Sequence, residues 1–212
     1  MKKKLITESE IREIIKGGSN EVLVPHKTIF TPLALDLMKH SGIKIIFNDA
    51  TPRTTVSDEI VFKTIAIASD HTGFHLKGKI VKELSDSGYH IIDVGTNSDK
   101  SCDYPDFAIA AALKVASGEC DGAVILDATG IPSSLTANKV PGIRAATCYN
   151  EFSARSSREH NNSNIICLGA QSLGATLISE IIKIWLNSVF LGGRHQRRLD
   201  KITEIEKKFV KG

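Results

Sequence analysis

From residue 63 onward, short apolar runs and helical-period segments take turns along the chain. Apolar runs fall at 63–69, 90–94, 121–126, 144–148 and 164–168, and each is followed within two residues by Gly, Asp or Asn. Runs of this length, apolar on both faces, predict strands buried between two layers. Between them lie the predicted helices. One spans 74–87, with Phe74, Ile80, Val81 and Leu84 on one side and Gly88 at its end. An alanine-rich one spans 107–117, and a short one opens at Ser133-Ser134 and closes at 138–142. Others span 151–159, broken by His160-Asn161-Asn162, and 173–190; a basic terminal helix spans 194–208. This alternation predicts an α/β fold, a doubly wound five-stranded parallel sheet with right-handed crossovers. Such sheets bind ligands at the carboxyl ends of their strands.

The pattern before residue 60 is different. Thr7-x-x-Glu10 ahead of Ile11, Ile14 and Ile15 reads as a capping box opening a short helix that stops at Gly17-Gly18. A strand is expected at 21–24, a helix at 33–40 behind Thr31-Pro32 and ahead of Gly42, and a strand at 43–47. The polar stretch 48–59, NDATPRTTVSDE, reads as a linker. The expected organisation is a small α/β module at 1–47, a linker at 48–59 and a main domain at 60–212. The module is too small to bury much surface alone.

Bulk properties narrow the function classes. With 42% apolar residues in 212, the chain has an ordinary globular core. A net charge of +3, from 27 basic and 24 acidic residues, does not point to nucleic acid. The apolar runs are strand-sized, so no membrane span is expected. The start MKKKLITESE lacks the apolar region of a signal peptide. Four cysteines without CxxC spacing read as reduced thiols in a cytoplasmic protein, with no zinc or other metal site.

The candidate chemistry centres on 124–139, VILDATGIPSSLTANK. A buried strand ends at Asp127, a turn of small residues follows (Ala128, Thr129, Gly130), and a helix opens after it. Such a turn aims several backbone N–H groups at one spot, which can bind phosphate or an oxyanion formed in a reaction. Alone, it is also an ordinary strand-to-helix connection. Asp70-His71 falls at the same predicted edge.

The motifs SDHTGFHLK, DVGT, DYPD, TGI…ANKVPGIRAA, FSARSSREHNN, NIICLGAQ and GGRHQRR occur in this order over 65–198. Together they resemble the type B ribose-5-phosphate isomerase family, which includes the galactose-6-phosphate isomerase subunits. The resemblance implies a flavodoxin-like sheet, a homodimer or tetramer with active sites shared between subunits, and no cofactor or metal. It also implies aldose–ketose isomerisation of a sugar phosphate, ribose 5-phosphate to ribulose 5-phosphate by family default. Asp70 and His71 match the pair that contacts the sugar and phosphate ends, and Tyr104 the tyrosine of the DYP motif. Thr129 and Gly130 match the anion-hole turn. His160 and Asn161 match the pair acting in the neighbouring subunit's site, the histidine opening the sugar ring. Arg194 and Arg198 match the phosphate-binding arginines; four apart, they are expected to share one helix face.

The chain departs from the family at one critical turn. CGTGIG, whose cysteine is the proton-transfer base, is replaced by Asp127-Ala128-Thr129-Gly130-Ile131-Pro132. Pro132 brings no N–H to the anion hole. Ser133 stands where other members carry a glutamate, and Gln171 where an arginine is usual. The expectation is isomerisation with Asp127 as base; the alternative is a divergent sugar-phosphate-binding or assembly protein. The first 47 residues resemble the short N-terminal segment of some bacterial microcompartment enzymes, such as ethanolamine-type cobalamin adenosyltransferases. That implies docking to a shell or cargo protein and a place inside such a compartment; the alternative is an extension that packs on its own core or on a sister subunit of a cytoplasmic protein.

Overall fold

The computed structural model describes residues 5–24, 28–47 and 62–209, and the chain divides into two compact units, Met1–Glu59 and Ile60–Gly212. The predicted linker lies outside the described residues. In the first unit, β1 (Leu5–Ile6), α1 (Glu8–Lys16), β2 (Glu21–Val24), β3 (Ile29–Phe30), α2 (Pro32–Ser41) and β4 (Lys44–Phe47) follow one another. β1 pairs with β3 and β2 with β4, both in parallel. The Glu10 carboxylate accepts from the Thr7 N–H at 2.8 Å, and Thr31 Oγ1 accepts from Ala34 N–H ahead of α2. Ile6, Ile11, Val22, Ala34 and Met38 form the centre of a small core. The two-residue strands β1 and β3 are too short to show any periodicity in sequence.

The second unit runs β5 (Thr64–Ser69), α3 (Phe74–Asp86), β6 (His90–Asp93), α4 (Tyr104–Ala116), β7 (Gly122–Asp127) and α5 (Ile131–Ala137). It continues through β8 (Ala145–Thr147), α6 (Glu151–Asn161), β9 (Ile165–Gly169), α7 (Ala175–Asn187) and α8 (Gln196–Phe209). The five strands form one parallel sheet in the order β6-β5-β7-β9-β8. One face packs Ile65, Ile67, Val124, Leu126, Ile178 and Trp185 into a large aliphatic and aromatic core. The other packs small side chains, Ala66, Ala68, Ala108, Ala111, Ala112 and Ala123, which bring α4 close to the sheet.

The α/β class and the five parallel strands are as the alternation predicts, but the order of the last two strands departs from the flavodoxin order. β9 (IICLG) is buried throughout and takes the interior place beside β7. β8 (AAT) is three residues long and only half-buried, which suits an edge.

Four element boundaries that touch or adjoin a candidate residue also differ; the first is α4, which opens at Tyr104 rather than at 107. α6 extends through Asn161, so His160 and Asn161 lie in its last turn; Asn162, left-handed at φ 46°, ends it. α8 starts at Gln196, so Arg194 stands before the helix rather than sharing a face of it with Arg198. Gly192 and Gly193, at φ 58° and 56°, set the turn that delays its start. α5 opens at Ile131, ahead of Ser133, because Pro132 is at home in a first helical turn.

Candidate active site

The carboxyl edge of the sheet gathers two tight turns. After β5, Asp70 Oδ1 accepts from the Thr72 N–H at 2.8 Å, the Thr72 hydroxyl at 2.6 Å and the Gly73 N–H at 3.3 Å. The carboxylate therefore shapes the turn that presents His71, and all three of these bonds fall on one oxygen. A side chain at Gly73 would press on Leu126 at 2.7 Å, so glycine lets this turn lie against the end of β7. The Cys102 N–H donates to His71 Nδ1 at 3.4 Å, with the thiol sulfur 3.8 Å from the same nitrogen. An accepting Nδ1 places the proton of neutral His71 on Nε2. The same contact draws the loop ahead of α4 toward the edge, and Tyr104 opens that helix partly exposed.

The second turn follows β7. Asp127 is 1% exposed, and its carboxylate is held by three backbone donors. Thr129 N–H (2.8 Å) and Gly130 N–H reach Oδ1, and Ser133 N–H reaches Oδ2 at 3.0 Å. Gly130 is left-handed at φ 81°, and a side chain there would meet the Cys167 carbonyl at 2.9 Å. Behind the turn, the Ala170 N–H bonds the Asp127 carbonyl at 2.7 Å and the Gln171 N–H bonds the Ala128 carbonyl at 3.1 Å. The N–H groups do converge, as the small-residue pattern predicts. What sequence does not reveal is that the chain's own carboxylate sits at their focus.

The remaining candidates lie elsewhere. In a parallel sheet, α6 runs back from the carboxyl edge, so His160 and Asn161 sit at the amino edge, just before β9. Asp127 pairs with Gly169 at the far end of that strand. The two groups are thus on the order of 15 Å apart along the strand axis. Arg194 and Arg198, both exposed, flank the start of α8 near His160. One chain therefore brings together Asp70, His71, Asp127, Thr129 and Gly130, with Tyr104 nearby, but not the His160 group.

Thiol chemistry is confined to one position. Burial pushes the Cys167 thiol well above the ordinary thiol range, helped by the charge of Asp127, and raises Cys120 and Cys148 as well. Cys102 is only half-buried. The native protein is therefore expected to react quickly with one equivalent of a thiol-specific disulfide reagent, and with four once unfolded. Cys102→Ser should remove the fast equivalent.

The comparisons with known proteins bear on the family and the fold of the second unit. The family described as Ribose/Galactose Isomerase matches residues 65–202. The chain belongs to that family. Ribose-5-phosphate isomerase B of Escherichia coli is 44% identical over 146 residues, which cover 69% of this chain and 98% of that protein. Among solved structures, Clostridium thermocellum ribose-5-phosphate isomerase B superposes with a TM-score of 0.69 at 50% identity, over 69% of this chain and 99% of that one. Ribose-5-phosphate isomerase B from Mycoplasma genitalium, solved with bound ribulose-5-phosphate, superposes at 0.66 with 39% identity, over 68% and 97%. The first unit lies outside the family match.

Proposed function

We propose that this chain interconverts the aldose and ketose forms of a sugar phosphate, with ribose 5-phosphate and ribulose 5-phosphate as the pair. The observation that carries the proposal is the carboxylate of Asp127, fixed at the end of the central strand where the family keeps its base. A carboxylate offers about four acceptor positions. Three are filled by turn N–H groups, and the fourth, on Oδ2, is left for a substrate proton. After the sugar ring opens, Asp127 takes the C2 proton of the aldose and returns it to C1, with the enediolate between the two steps. His160 of a second copy of the chain opens the ring, and Asn161 beside it holds the sugar. Arg194 and Arg198 of that copy, with His71, take the phosphate. A homodimer sharing its sites supplies this arrangement, since the two residue groups lie at opposite sheet edges of one chain. Asp70 and Tyr104 contact the sugar hydroxyls. Residues 1–47 serve as a docking module for a shell or cargo protein of a bacterial microcompartment.

One observation favours a second reading, in which the chain binds sugar phosphates without turning them over. The N–H groups of Thr129, Gly130 and Ser133, which would steady an enediolate oxygen, already hold Asp127. Asp127→Cys frees all three donors and separates the readings. Under the first, the wild type is active on ribose 5-phosphate. Under the second, the wild type binds it silently and only the cysteine variant turns it over.

The phosphate site has its own test. Arg198→Ala should weaken binding of ribose 5-phosphate by roughly 10- to 100-fold, since a charge-assisted bond contributes about 1.5–3 kcal/mol. Binding of free ribose should be unchanged in calorimetry. Equal weakening of both would remove Arg198 from the phosphate site.

A further inference from the structure

The turn that leads into α8 carries a histidine to which the motif comparison assigns no role. His195 is 6% exposed and begins the helix, its carbonyl accepting from the Arg198 and Leu199 N–H groups. Its ring lies flat on that of His160, with centroids 4.4 Å apart and planes 8° from parallel. His160 is held on a second side, its Nδ1 3.1 Å from the Ser156 hydroxyl one turn earlier in α6. The backbone joins the same two segments, since the Leu191 N–H bonds the Glu159 carbonyl at 3.0 Å. Stack and hydroxyl together fix the ring plane of His160 and leave its Nε2 as the nitrogen free to act.

The protonation of His195 follows from its partners. Arg194 Nε–H donates to His195 Nε2 at 3.3 Å, which requires that nitrogen to be unprotonated. The neutral ring then carries its proton on Nδ1, a buried nitrogen with no hydrogen-bond partner among the described residues. Burial, followed by the positive charges of His160, Arg194 and Arg198, holds His195 below the usual histidine range. These are the charged groups the structure sets against it: one from α6, one from the turn and one from α8. Two stacked imidazoles at this distance repel if both are charged.

We propose that His195 is a positioning residue, a flat uncharged platform that sets the ring plane of His160 and leaves proton transfer to that ring. The proposal rests on the reading of His160 as the group that opens the sugar ring.

The test compares full-length wild type with His195→Phe, which keeps a flat neutral ring, and His195→Leu, which fills similar space without one. Two readouts are taken: kcat and KM for ribose 5-phosphate from pH 5.5 to 8.5, and the proton shift of His160 Cε1–H, assigned with His160→Gln. In His195→Leu, kcat should fall by about 10- to 100-fold with KM little changed, the scale expected when a reacting group is misplaced by about 1 Å. The His160 resonance should lose its upfield ring-current shift. His195→Phe should restore most of both. On acidification, wild type should lose activity as His195 takes a proton, and His195→Phe should lose less. A leucine variant with wild-type kcat and an unmoved His160 signal would overturn the proposal. So would a phenylalanine variant as impaired as the leucine one, because a ring nitrogen would then be required. An inactive wild type would instead defeat the isomerase reading, and the His160 shift would still report whether His195 sets the ring.

Discussion

Asp127→Asn is expected to lower turnover of ribose 5-phosphate by about 10²–10⁴-fold, the usual contribution of a positioned general base. It is also expected to cost stability, which the sequence alone would not suggest. Read from sequence, the amide looks like a shape-preserving swap that removes only the base. In the structure, Oδ1 accepts from Thr129 and Gly130 while Oδ2 accepts from Ser133 at 3.0 Å. An amide can keep the first pair of bonds, but its NH₂ then faces the Ser133 N–H, donor against donor. The lost charge-assisted bond and the uncompensated donor together should cost about 2–4 kcal/mol. Asp127→Cys leaves all three N–H groups without their carboxylate acceptor, so it should cost at least as much stability as the amide. Chemical denaturation and steady-state kinetics on the same three proteins separate the two effects. An asparagine variant as active as wild type would dismiss Asp127 as base, whatever its stability.

The second large effect is expected far from the turn. Trp185 is fully buried and stacks on Phe62, with ring centroids 4.7 Å apart. Its Nε1–H donates to Ser163 Oγ at 2.8 Å, which in turn bonds Ser157 Oγ in α6. The Arg158 guanidinium lies 4.5 Å over the Phe62 ring and donates to the Ser163 carbonyl and to Asn162 Oδ1. Burial, followed by the charge of Arg144, lowers Arg158 to about 10, so it remains charged at neutral pH. This network seats the end of α6 that carries His160 and Asn161. Trp185→Ala should cost about 3–5 kcal/mol through the cavity it leaves, and lower the melting temperature by on the order of 10 °C. Because the seat of His160 goes with it, activity below the melting transition should fall as well. Unchanged kcat in a destabilised variant would show that the network supports the fold alone.

The distribution of what could be read in sequence has physical reasons. β5, β7 and β9 are apolar on both faces, and the helices between them carry clear stripes, so the sheet and its carboxyl edge were legible. Strand order was not, because it depends on which strand can tolerate an edge, and here the short half-buried β8 gives way to β9. Turn chemistry was legible where one residue type dictates the backbone: the capping box at Thr7 and Glu10, and the left-handed Gly42 and Gly130. The end of α6 is not legible, because His160 and Asn161 read as breakers in sequence whereas only Asn162 leaves the helical conformation. The embrace of Asp127 by its own turn depends on side-chain direction, which spacing does not encode. In sequence, His195 between arginines looks like part of a solvated basic face. Only its burial and its stack on His160 single it out.

The central claim is proton transfer between C1 and C2 of a sugar phosphate, and solvent deuterium tests it most directly. Wild-type protein is incubated with ribose 5-phosphate in D₂O, and the sugar is followed by proton NMR and mass spectrometry. The account predicts that ribulose 5-phosphate accumulates to equilibrium with deuterium at C1, introduced when Asp127 exchanges its captured proton with solvent. Ribose 5-phosphate that binds in calorimetry yet stays unexchanged at C2, with no ketose formed, would contradict it.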